Sequence, residues 1–139
     1  MFKTQTETFR GYGKLLGIAA QTAAECRFPE AETVLSAHAC AHLSGAEAGN
    51  GEVRYFGRAL FSIVYEDADR HVCRAEKGVE FTAVARDARI APAQTVCAGL
   101  AVENLSVRRE GASIFLTALL GADLAFFGEK TFDYLSGGD

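Results

Sequence analysis

The residues best suited to chemistry are His38, Cys40 and His42, which form a His-x-Cys-x-His triplet. Imidazole and thiolate are the donors that zinc and copper favour. On a strand the period of two puts all three side chains on one face. Alternate residues there stand ~6.6–7 Å apart, so two can converge on one ion and three in a row converge poorly. A fourth ligand, such as His71 or Cys73, would have to come from another strand. The competing reading is a row of half-exposed side chains facing solvent. Thiolate catalysis needs a base within hydrogen-bond reach of the sulfur. Cys40 and Cys73 have histidines close in sequence but lie in no nucleophile motif.

Other candidates are weaker. Glu66, Asp67 and Asp69 cluster on an expected turn and could meet a hard cation, but the glycine and terminal glutamate of an EF-hand loop are missing. Gly11, Gly13 and Gly17 have the wrong spacing for a dinucleotide fingerprint, and no Lys-Ser/Thr follows Gly45, Gly49 and Gly51 as a phosphate loop requires. We therefore expect no cofactor. Tyr55, Phe56, Phe61 and Tyr65 form an aromatic stretch of the kind that stacks on sugars or single-stranded nucleic acid. Core packing explains the same residues, because no basic groove accompanies them.

These residues need strands to position them. Residues 12–28 are rich in helix formers, but Leu16, Ile18, Ala20, Thr22, Ala24, Cys26 and Phe28 make a period-two row opposite Gln21, Glu25 and Arg27. The pattern favours a strand. A second strand is expected over 34–43, with Ala37, Ala39, Ala41 and Leu43 on one face and the triplet on the other, followed by a glycine-rich loop over 44–51. Residues 53–65 alternate most clearly, with aromatic and β-branched residues on one side. A turn at 66–69, a return strand over 70–75, a short strand over 79–84 and an irregular stretch around Pro92 come next. Residues 96–108 change phase: Val96, Ala98, Leu100 and Val102 share one face, and Leu105 and Val107 share the other. Such a slip predicts a β-bulge near Glu103-Asn104. The last long strand, 113–127, has its even face wholly apolar, while Phe115, Leu119 and Phe127 make its odd face apolar too. A strand apolar on both faces is covered twice, inside a sandwich or at a contact between molecules.

The expected fold is therefore all-β: an antiparallel β-sandwich or open barrel of about 6–8 long strands joined by hairpins. One domain spans 1–139. Residues 1–11 read as either an edge strand or a frayed tail, and 129–139 as a frayed tail.

Composition narrows the function classes. A chain of 139 residues, 49% hydrophobic and 23% charged, is ordinary globular material able to bury its own core. Its net charge of −4 comes with no basic stripe, so nucleic acid is not an expected partner. No stretch approaches the ~20 apolar residues of a membrane-spanning helix, and Met1-Phe2-Lys3-Thr4 opens on a polar segment unlike a secretory leader. A cytoplasmic chain with Cys26, Cys40, Cys73 and Cys97 reduced and acting as small buried apolar residues is the expectation.

One family fits this order of segments. Phe28-Pro29-Glu30 leads into Thr33-Val34-Leu35-Ser36. Gly51-Glu52-Val53 leads into Gly57-Arg58-Ala59-Leu60-Phe61-Ser62-Ile63-Val64-Tyr65, and Val102-Glu103-Asn104-Leu105-Ser106-Val107 precedes the final apolar strand. Over residues 25–127 this resembles the SPOCS domain of spore-coat and spore-envelope assembly proteins. The resemblance implies a non-catalytic assembly role on the mother-cell side of the spore surface, with envelope proteins or further copies as partners. It carries no catalytic residues. The chain departs from the family in having no peptidoglycan-binding LysM segment, and in placing His38, Cys40 and His42 where the family has a polar, non-metal face. The contact residues expected are Phe115, Leu119, Phe127, Tyr55 and Tyr65. The alternatives are a metal-binding β domain built on the triplet, or a carbohydrate-binding β-sandwich built on the aromatics.

Overall fold

A computed structural model describes the backbone of residues 4–29 and 31–137, and the side chains of 13–29 and 31–129. The fold is all-β. Six antiparallel strands run in chain order: β1 (Thr4–Pro29), β2 (Thr33–Ala48), β3 (Glu52–Glu66), β4 (Val72–Arg86), β5 (Thr95–Glu110) and β6 (Ser113–Gly137). They form two three-stranded sheets, β1-β6-β5 and β2-β3-β4. The sheets stack with β1 alongside β4 and β5 alongside β2. Residues 12–28 are strand as the alternation predicted. The backbones of 4–10 and 131–137 pair with each other as strand, from Thr4 opposite Gly137 inward, where tails were among the expectations.

The two central strands make the core. Val53, Tyr55, Ala59, Phe61 and Ile63 of β3 point inward, and so do Ile114, Leu116, Ala118, Leu120, Ala122, Leu124 and Phe126 of β6; all are buried. Each central strand has a neighbour on both sides, so its inward row lies furthest from every edge. The edge strands contribute smaller or partly covered residues, such as Ala37, Ala41, Ala75 and Ala98. Burying a Leu, Ile or Phe side chain contributes about 1.5–3 kcal/mol, so the β3 and β6 rows dominate the stabilisation.

Four register slips occur, and each adds one residue to an edge strand. The extra residues are Leu15 in β1, Leu35 and Ser44 in β2, and Glu103 in β5. The last is the bulge that the phase change predicted. A bulged residue lies outside the ladder, and its side chain leaves the packed face. Leu15 (38% exposed) and Leu35 (52% exposed) are accordingly two of the few large exposed apolar side chains. The bulge at Ser44 corrects one expectation. The strand does not stop at Leu43: it shifts phase, so Ala46 and Ala48 again face the core opposite Tyr55 and Val53, and β2 runs on to Ala48.

A second correction concerns residues 70–84. The two short strands expected there are one strand, β4, in unbroken register with β3 from Val72↔Glu66 to Arg86↔Glu52. Lys77 disguised the alternation, because it occupies an inward position. β4 is an edge strand, so the side chain escapes sideways. Its Nζ donates to the Arg27 carbonyl at 2.5 Å and sits 5.3 Å from the centre of the Phe28 ring. A long cationic side chain can cover apolar surface while its head stays wet. Across the molecule, Arg109 Nη2 donates to the carbonyls of Ala31 (3.0 Å) and Glu32, tying the end of β5 to the β1–β2 connection.

The connections follow local chemistry. Gly51 and Gly111 take positive φ (72° and 60°) at the β2–β3 and β5–β6 turns, a conformation that costs glycine little. At the β3–β4 turn it is Arg70 that adopts φ 62°. Asp67 holds that turn by accepting the backbone N–H groups of Asp69 and His71 at 2.9 Å each. The chain returns from one sheet to the other over residues 87–94. Asp87 and Ile90 exchange backbone bonds with Gly51 there, and Ile90 plugs the end of the core at 2% exposure.

Two glycines separate packing from backbone freedom. A Cβ on buried Gly57 would overlap the His42 carbonyl, whereas one on Gly99 would meet nothing within 4 Å. We expect Gly57→Ala to lower unfolding stability by about 1–3 kcal/mol. Gly99→Ala should leave it unchanged or raise it by about 0.5 kcal/mol. Urea denaturation of both variants beside the wild-type chain checks the contrast.

Candidate functional site

The outer faces of the two sheets carry the His38, Cys40 and His42 triplet and the expected contact residues Phe115, Leu119 and Phe127, while Tyr55 and Tyr65 face the core. On the β2-β3-β4 sheet, the outer face is a ladder of cross-strand rungs. His38 lies opposite Ser62 and Glu76, Cys40 opposite Leu60 and Gly78, and His42 opposite Arg58 and Glu80. Gly78 has no side chain, so the Arg58 guanidinium lies over it and a Cβ there would overlap that group. The result is a shallow groove of about 430 Å³ whose walls include His38, Cys40, Arg58, Arg74 and Glu76. Arg74 and Glu76 pair at 3.0 Å with both side chains exposed, which contributes at most about 1 kcal/mol.

The triplet shares one face as predicted, with the two histidines exposed and Cys40 half-buried. Its nearest cross-strand neighbours are a serine, a leucine and an arginine, none of which extends a zinc or copper shell. Among the described residues, the group of three metal-type donors gathered within 4.8 Å is Asp67, Asp69 and His71, at the β3–β4 turn. The Asp67 carboxylate is already engaged. Oδ1 accepts the two turn N–H groups, and Oδ2 stands 3.5 Å from His71 Nδ1 and 3.8 Å from Cys73 Sγ. Turn closure accounts for this cluster.

The cysteines divide by position. All four are free thiols. Only Cys26 is buried, and burial pushes its thiol pKa up. Cys40 and Cys73 are half-buried, and Cys97 is exposed on the outer face of β5, so the expectation that all four act as buried apolar residues holds for one of them.

The aromatic stretch is mostly core. Tyr55 and Phe61 are each 1% exposed, and Tyr65 is half-buried and packed against the core. Tyr55 is therefore not a contact residue, and Tyr65 has only part of its surface left to offer. Phe56 alone points outward, where its ring covers Gly45. Tyr55 and Phe61 are out of reach of a sugar or a base. Alternation had placed these rings correctly on one face; only the stacking of the second sheet decided that the face is closed.

The β1-β6-β5 sheet presents the expected contact row. Phe115, Leu119 and Phe127 project from the outer face of the central strand and are half-buried. Arg27 and Arg108 flank Phe115 on the neighbouring strands, and the Arg108 guanidinium carbon lies 5.2 Å from the ring centre. Ala23 and Asn104 flank Leu119. Between Leu119 and Phe127 the surface is built from small residues: Gly121, Ala125, Gly17, Ala19, Gly99 and Ala101. Two features had no sequence signal. Glu103, expelled by its bulge, folds over Gly121 and accepts from Gln21 Nε2 at 2.7 Å. Asp123 stands between Ala19 and Gly99 on the central strand, a position that only the register reveals.

No protein-family model, no curated protein and no solved structure matches the chain. Among the described residues there is also no helix long and apolar enough to cross a membrane.

Charge at the β4–β5 crossover gives a pH expectation. Asp87 accepts a bidentate bond from Arg89 (2.9 and 2.8 Å) and the Arg89 backbone N–H, which together lower its pKa from 3.8 to about 2. A depressed folded-state pKa gives stability that is fully present above the unfolded value and lost as pH falls through the folded one. The window is thus about pH 4 down to about 2. Carbonyl-carbon NMR titration should find Asp87 ionised at pH 3, and Arg89→Gln should move its midpoint upward. Asp67, lowered chiefly by the His71 N–H, should titrate below 3.8 and be insensitive to that substitution.

Proposed function

We propose that this chain is a SPOCS-like assembly module that binds protein in spore-coat or spore-envelope morphogenesis and performs no catalysis. The observation that carries this reading is the two-sided apolar character of β6. Its inward row is fully buried in the core. Its outward row of Phe115, Leu119 and Phe127 lies on the opposite face, half-covered by its own neighbours. Half-covered apolar side chains on a central strand gain by being covered further, and a protein surface is the partner that does so over several strands at once. The surrounding polar groups, including Arg27, Glu25, Thr117 and Glu103, supply the rim such a contact needs. The segment order of the SPOCS resemblance, from Phe28-Pro29 to the last strand, supports the spore-envelope setting and a mother-cell location.

The outer face of the other sheet is a poorer candidate. Its charges alternate along and across the strands, as in Arg74 with Glu76 and Arg86 with Glu52. Water satisfies such a chequered surface well.

The test uses Leu119→Glu, which puts a charge at the middle of the contact row while leaving the core untouched. The wild-type chain, cross-linked in extracts of sporulating cells, should recover a defined set of envelope proteins or further copies of itself. Leu119→Glu should lose at least about tenfold of that recovery with an unchanged circular dichroism spectrum. Equal recovery by the two chains, or none by either, would remove this function.

A further inference from the structure

The outer face of the β1-β6-β5 sheet places two arginines and a carboxylate equally far from Leu119 along the strands. Asp123 projects from the central strand with only Ala19 and Gly99 beside it, and two shallow troughs of about 370 and 390 Å³ meet at it. Among the described residues it has no hydrogen-bond or ion-pair partner. Lys14 stretches over Gly17 and lines one trough with it. A carboxylate standing between small neighbours, with Lys14 in only one of its two troughs, leaves room above it for a cation supplied from outside.

The same face carries such cations. Arg27 and Arg108 flank Phe115, on the strands to either side of it. Their guanidinium groups are held near the surface, Arg27 by Nε donating to Ser113 Oγ at 2.8 Å and Arg108 by the Phe115 ring and Glu110. Phe115 and Asp123 lie equally far from Leu119, four residues to either side along one strand. A twofold axis running across the strands at Leu119 therefore lays Phe115 of one copy over Asp123 of the other. Such an axis keeps β1 over β1 and β5 over β5. Arg27 then falls opposite the second copy's Ala19, and Arg108 opposite the second copy's Gly99. Both guanidinium groups thus enter the space beside the second copy's Asp123, and Leu119 meets its own counterpart.

We propose that this face is a twofold interface between two copies of the chain, with Leu119 on the axis and Asp123 of each copy clamped between Arg27 and Arg108 of the other. This rests on the reading of the face as a protein-docking surface and names its occupant. An isologous contact uses each patch twice, so one charge pattern supplies both halves. Three strands at ~4.8 Å spacing and an overlap of about 35 Å give about 500 Å² per copy, or about 1,000 Å² in all. That is the lower end for a specific contact, so association is concentration-dependent and roughly micromolar or weaker.

Sedimentation velocity from about 1 µM to about 1 mM tests this with the whole chain. The wild-type protein should shift from monomer to dimer, with the midpoint rising as salt screens the charges. Asp123→Arg alone places like charges at both clamps, and so does the double variant Arg27→Asp/Arg108→Asp. Each should stay monomeric at least about tenfold higher in concentration. Mixed in equal amounts, the two variants match opposite charges at both clamps and should form a dimer again. A wild-type chain that is monomeric throughout overturns the proposal, and so does a mixture that fails to pair where the wild type does. If the wild type is monomeric but still recovers envelope proteins in a Leu119-dependent way, the twofold contact fails and the docking face stands. If both are lost, both readings fail.

Discussion

The structure depends on burying two opposed apolar rows, those of β3 and β6, against one another. A strand has two faces, and a central strand has no free edge. Its inward row can be closed only by a second sheet lying about 10 Å away. Tyr55, Phe61 and Ile63 on one side and Leu116, Leu120, Leu124 and Phe126 on the other meet that condition with almost no residual exposure. Everything else in the fold either extends these two strands sideways or closes the gap at the rim.

The edges are handled differently from the centre, and the difference is physical. An edge strand offers unpaired backbone groups and a route for slippage. Each of the four bulges falls in β1, β2 or β5, while β3 and β6 carry none. A bulge in a central strand would disturb two ladders, whereas in an edge strand it disturbs one. β4, the edge without a bulge, instead turns a lysine inward, and the Lys77 head closes over Phe28 and the Arg27 carbonyl. On the opposite flank Arg109 ties β5 to the β1–β2 connection. Two cations thus bridge the sheets where apolar packing runs out.

The two outer faces then diverge because their sequences do. On the β2-β3-β4 sheet, charges of both signs alternate, and His38 and Cys40 join a groove with Arg58 and Gly78. On the β1-β6-β5 sheet, Arg27 and Arg108 flank Phe115 with Glu25 and Glu110 close by, Asp123 stands further along with Lys14 in its trough, and small or apolar residues lie between. A half-covered apolar row flanked by charged groups is a pattern that a second protein surface completes. The proposed assembly role and the twofold contact both rest on that difference.

The sequence by itself determined the all-β class, the apolar rows of 53–65 and 113–127, the strand character of 12–28 and the bulge near Glu103. Each of these is a local matter of which residues alternate and where alternation slips. Tertiary structure decided what alternation cannot encode. It paired β1 with β6, strands at opposite ends of the chain, and so fixed which side chains surround Asp123 and Phe115. It buried Tyr55, because a period of two sorts side chains into faces without saying which face another sheet will cover. It also carried β2 through Ser44 and β4 through Lys77, where one extra residue or one inward cation breaks the pattern yet costs little at an edge beside water. The contact face has the same origin: Arg27, Asp123 and Arg108 lie far apart in sequence, and only the register of three strands sets them on one surface.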